Sequence, residues 1–191
     1  MQILVPYIAG SVAIVMLATG NGAARASTPA PQRAYWAPHD EIDYLDNLPR
    51  TYSCDELYYK YRAVLLRLGA RPDMTIYTYG CTGSKGAAAN RPHVDLTYTI
   101  PQPVPSQLNS NSMLRARLET VEIGVGNPKV LSESDCTLMD DMRQTVLSSF
   151  SKDIEVRGSR CGQRGGRSKP YTLLVQTMIP IAPSTASAPP E

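Results

Sequence analysis

The feature that most constrains this fold is a stretch that occurs twice, opened and closed by cysteine each time. The first reads Ser53-Cys54-Asp55-Glu56-Leu57, then an apolar-striped run to Leu68, Gly69 as a stop, a strand-like run to Cys81 and a second strand ending at Ile100-Pro101. The second reads Asp135-Cys136-Thr137-Leu138-Met139, then a striped run to Phe150, a strand-like run to Cys161 and a strand ending at Ile179-Pro180. Cys54 and Cys136 are 82 residues apart, and Cys81 and Cys161 are 80 apart. Similar elements at a matched offset are the signature of an internal duplication.

The four cysteines allow three pairings, and element lengths choose among them. A helix from Cys54 to Leu68 rises about 22 Å, and a strand from Met74 to Gly80 returns about 23 Å. Cys81 therefore comes back level with Cys54. The same lengths hold between Cys136 and Cys161. The expected disulfides are Cys54–Cys81 and Cys136–Cys161, each tying a helix start to the end of the next strand. Two disulfides belong to an oxidising compartment. Neither a Cys-x-x-Cys pair nor a Cys/His cluster at ligand spacing is present, so zinc and thioredoxin-type redox chemistry have no support.

Export is also what the N-terminus predicts. Ile3 to Ala18 is an apolar run, and Ala24-Arg25-Ala26 fits the small-x-small rule for signal peptidase, so residues 1–26 are expected to be a cleaved signal peptide. At about 16 residues, with Pro6 and Gly10 inside, the run is short for a membrane span. The expected location is periplasmic or secreted, and no mature segment is apolar enough to cross a bilayer.

Residues 27–52 are expected to be a flexible N-terminal segment, with Ile42, Tyr44 and Leu45 able to dock as a short edge strand. Helix 1 begins at Ser53, a good N-cap with Glu56 three residues later. Leu57, Tyr61, Val64, Leu65 and Leu68 form its apolar stripe, Lys60, Arg62 and Arg67 face outward, and Gly69 supplies a left-handed cap. Strands are expected at 74–80, 93–100, 114–125, 153–160 and 170–179. Val94, Leu96, Tyr98 and Ile100 alternate inward, as do Tyr171, Leu173, Val175, Thr177 and Ile179. A phase change near Thr120 suggests a bulge. Helix 2 carries Met139, Met142, Val146 and Phe150 on one face. These elements make an α+β fold: an αββ unit at 53–101, a linker at 102–113 and a βαββ unit at 114–180. A mostly antiparallel sheet carries two helices on one face, and a disordered tail follows at 181–191.

No catalytic constellation, metal site or cofactor motif stands out. Gly80-Cys81-Thr82-Gly83-Ser84-Lys85-Gly86 lacks the spacing of a phosphate loop. Asp55 and Glu56 suit the first turn of a helix, and Asp140 and Asp141 a solvated helix face. The loop with Arg157, Arg160, Arg164, Arg167 and Lys169 is the candidate contact for a partner or an anionic envelope component. Tyr58 or Tyr59 is a candidate partner contact. The formal charge of +2 gives no global drive toward nucleic acid. The leading expectation is a non-enzymatic exported binding or envelope-associated protein. The alternatives are a periplasmic enzyme with a site between the units built on His93, Asp95 and Tyr98, and a structural subunit of an envelope complex.

Overall fold

The computed structural model describes residues 29–45, 48, 51–81, 92–105, 113–158 and 170–182. Six strands, β1 (Gln32–Tyr44), β2 (Thr75–Tyr79), β3 (His93–Pro103), β4 (Met113–Gly124), β5 (Ile154–Arg157) and β6 (Thr172–Pro180), form one sheet in the order β2-β3-β1-β4-β6-β5. Every pairing is antiparallel. Helix α1 spans Cys54–Arg67 and α2 spans Cys136–Gln144, the latter between 3-10 turns at Glu133–Asp135 and Val146–Ser149. The fold is α+β, as expected. The expected signal peptide and most of the expected linker and tail lie outside the described residues.

Helix α1 forms for the reasons its sequence gives. The Ser53 side chain accepts from the Glu56 backbone N–H at 3.1 Å, satisfying a donor left without an intrahelical partner. Its apolar stripe, Leu57, Tyr61, Val64 and Leu65, is buried. Lys60 corrects the expected outward face: it is 4 % exposed. It lies three residues after Leu57 and four before Val64, within the buried stripe. Gly69 ends the helix with φ of +92°, the left-handed region that favours glycine. A Cβ there would sit 2.9 Å from the Met178 carbonyl oxygen, so the helix end presses directly on β6. Thr177 Oγ1 donates to the Leu68 carbonyl at 2.9 Å across the same contact.

The apolar stripes of α1 and α2 share one core with the inward residues of β3, β4 and β6. The predicted alternation of β3 holds: Val94, Leu96, Tyr98 and Ile100 are all buried. Four departures from the sequence reading are informative. Residues 32–44, expected within a flexible segment, form β1 near the sheet centre, pairing with β3 from Ala34↔Pro103 to Tyr44↔His93. Its pairing with β4 covers only Gln32↔Ala116 to Tyr35↔Met113. Beyond Tyr35 that side of β1 faces no strand among the described residues, so Pro38 sits in an edge portion where proline is tolerated.

The bulge expected in β4 is not formed. The register with β6 runs without a skip from Ala116↔Pro180 to Gly124↔Thr172. The apolar phase changes because both faces bury residues. Val121 and Ile123 join the main core, whereas Ala116 packs with Ala34, Met178 and Leu114 in a second cluster. Helix 2 is also shorter than its stripe suggests. Thr145 (φ −107°, ψ −86°) breaks it, leaving Val146 in the 3-10 turn with Phe150 just after it. The return strand is likewise shorter, at Ile154–Arg157.

Candidate functional site

Strand β1 runs polar side inward. His39, Glu41 and Asp43 alternate on its core face, and each meets a partner from another element. Asp43 is fully buried and accepts from Tyr61 Oη of α1 at 2.6 Å. Glu41 accepts from Tyr98 Oη of β3 at 3.0 Å and from Ser149 Oγ, and Tyr98 also reaches Ser149 at 3.2 Å. His39 stacks on the Tyr98 ring at 5.6 Å, and Gln102 Nε2 donates to its Nε2 at 3.3 Å. Phe150 stacks on the Tyr98 ring at 5.9 Å with the two planes 6° apart.

Beside this network lies an open cavity of ≈ 280 Å³. One wall is Ile100–Pro103 of β3. The other walls are Leu118 of β4, 148–152 after α2, and 176–178 of β6. Ser149 and Gln102 belong to both cavity and network, so these hydrogen bonds hold part of the cavity lining in place. The lining is largely apolar, and Lys152 is its single charged residue.

Burial pushes the Asp43 carboxyl above its ordinary value of 3.8; the hydrogen bonds from Tyr61 and Thr145 oppose the shift, and the charge of Glu41 adds to it. A raised native value means that the folded chain holds this proton more tightly than the unfolded chain. Stability therefore falls as pH rises from the unfolded value through the native one. Asp43→Asn removes that slope. Urea titrations at pH 4 and pH 7 should show wild type losing stability relative to Asp43→Asn as pH rises; a constant or rising difference contradicts this.

The sequence candidates fall in different places. Cys54 and Cys81 are disulfide-bonded with Cα atoms 5.2 Å apart. Cys136 is also disulfide-bonded, and Cys161 lies outside the described residues. Arg157 is exposed and bonded to Glu155 at 2.6 Å; Arg160, Arg164, Arg167 and Lys169 lie outside the described residues, as does the glycine-rich loop after Cys81. His93 and Asp95 do not share a cleft with Tyr98. Odd and even positions of β3 face opposite sides, and His93 stacks instead with Tyr79 at 4.9 Å. Asp140 bonds Arg143 at 2.9 Å and Tyr171 at 2.8 Å. Burial acts to raise its pKa, but those two bonds prevail and lower it, the wrong direction for a general acid at neutral pH. Tyr59 is exposed and Tyr58 half-buried.

Comparison with family models, curated proteins and solved structures gives no match. Among the described residues, no group of His, Cys, Asp or Glu is arranged to hold a metal ion, and no helix is long and apolar enough to cross a membrane.

The sequence reading missed Glu41, Ser149 and the cavity. A signal was present for the first: Glu41 and Asp43 alternate with exposed Ile42 and Tyr44, a strand pattern with its polarity reversed.

Proposed function

We propose that this chain is an exported, non-enzymatic binding protein built from two duplicated βαββ halves, with its ligand held in the cavity between them. The carrying observation is that cavity: β3 of the first half and β4, β6 and the post-α2 turn of the second all line it. The sheet order supports the duplication. Exchanging β1 with β4, β2 with β5 and β3 with β6 maps β2-β3-β1-β4-β6-β5 onto itself. Each helix also begins on a cysteine, Cys54 or Cys136. On this reading β1 completes the first half, which the sequence suggested was an αββ unit. The Cys54–Cys81 disulfide fits an oxidising compartment.

A fragment screen of the oxidised mature protein, read by amide chemical shifts, tests this. Hits should cluster on residues 100–103 and 148–152, and Leu118→Trp should abolish them by filling the cavity. Hits confined to other surfaces, or none, contradict the reading.

A second reading, a structural subunit of an envelope complex, draws on one surface. Ile42, Tyr44, Tyr77 and Tyr79 are each at least 44 % exposed. Cross-strand register through Asp95 and His93 places all four on one face of the sheet. The basic loop beginning at Arg157 remains a proposed contact for anionic envelope material.

A further inference from the structure

The chemistry of the cavity lining narrows what it holds. Its walls supply apolar surface from Ile100, Pro101, Leu118, Phe150 and Met178. Its hydroxyls are already committed as donors. Ser148 Oγ donates to the Thr145 carbonyl, Ser149 Oγ to Glu41 and Ser151 Oγ to the Asp153 carbonyl. The Gln102 amide nitrogen is engaged with His39. The lining side chains left to donate to a guest are the Lys152 ammonium, the Gln176 amide and the second N–H of Gln102, and Lys152 and Gln176 are exposed at the rim. No lining residue carries a negative charge, and Lys152 makes no ion pair among the described residues.

A guest here needs an apolar body and one end that accepts hydrogen bonds, and the lone positive charge selects an anionic end. Size adds a bound. The ≈ 280 Å³ lies just below the usual range for small-molecule sites, about 300–1,000 Å³. At about 30 Å³ per water-sized group, it admits on the order of ten non-hydrogen atoms. We infer that the cavity binds a small amphipathic carboxylate, of the size of a medium-chain fatty acid, with its chain against Leu118, Phe150 and Met178 and its head at Lys152. This rests on the cavity being the ligand site, as proposed above.

The test uses three probes of equal length, sodium octanoate, 1-octanol and octylammonium chloride, titrated into the oxidised mature protein by two-dimensional NMR. Octanoate should give saturable shifts at residues 100–103, 118, 148–152 and 176–178. Octanol should bind about tenfold more weakly, in line with loss of a charge-assisted hydrogen bond, and octylammonium weakest. Lys152→Gln should bring octanoate down to the octanol level, and Lys152→Glu should reverse the order of octanoate and octylammonium. Added salt should weaken octanoate alone. Equal binding of octanoate and octanol, unmoved by Lys152→Gln, overturns the carboxylate assignment and leaves the cavity reading standing. No saturable shift at these residues with any probe overturns both.

Discussion

Replacing Asp135 with alanine should cost about 3–5 kcal/mol, the usual penalty for removing one partner of a buried ion pair. Asp135 is fully buried and gathers donors from α1, from the segment before it and from Ser132. Lys60 Nζ of α1 reaches its Oδ2 at 2.6 Å and Tyr52 Oη reaches its Oδ1 at 2.9 Å. The backbone N–H and Oγ of Ser132 donate to Oδ2 at 2.7 and 2.8 Å. Without Asp135 the Lys60 ammonium retains the Val130 carbonyl at 2.7 Å and, at 3.5 Å, the partly exposed Glu56 carboxylate. Against a total of about 5–15 kcal/mol for a domain of this kind, the loss is large. The double variant Lys60→Met/Asp135→Leu should recover part of it, because an apolar replacement of a buried pair is often neutral or better, while the Tyr52 hydroxyl and the Ser132 N–H still lose this acceptor. Urea midpoints, at an unchanged denaturant slope, measure both. A single-variant loss under about 1 kcal/mol contradicts the buried pair.

Removing the Cys54–Cys81 disulfide by a double serine substitution should cost about 3–4 kcal/mol in the chain-entropy model. The bonded residues are 27 apart in sequence, and the bond ties the first residue of α1 to the end of β2. Thr78 Oγ1 donates to the Cys54 carbonyl at 3.4 Å beside it. Thermal unfolding of oxidised wild type against the serine variant measures the difference. A shift indistinguishable from zero contradicts a stabilising role for this closure.

The legible parts of the fold were those where local chemistry and burial agree. The Ser53 cap, the Leu57–Leu65 stripe, Gly69 and the alternation of β3 each state one answer, and the cysteine spacing located the first disulfide. The illegible parts were those where a distant partner supplies the energy. Glu41 and Asp43 fell within a segment expected to be flexible, because Tyr98, Ser149 and Tyr61, which satisfy them, are remote in sequence. Lys60 read as exposed although its spacing placed it on the buried stripe; its acceptor is 75 residues away. The cavity was hidden for the same reason, since its walls come from four separate segments.

The proposed ligand site depends on a proposed frame of two stapled halves joined where β1 pairs with β4, and non-reducing peptide mapping of the protein tests that frame most directly. The account predicts two linked peptide pairs, Cys54 with Cys81 and Cys136 with Cys161. A link from Cys54 or Cys81 to Cys136 or Cys161, or four free thiols, would contradict it.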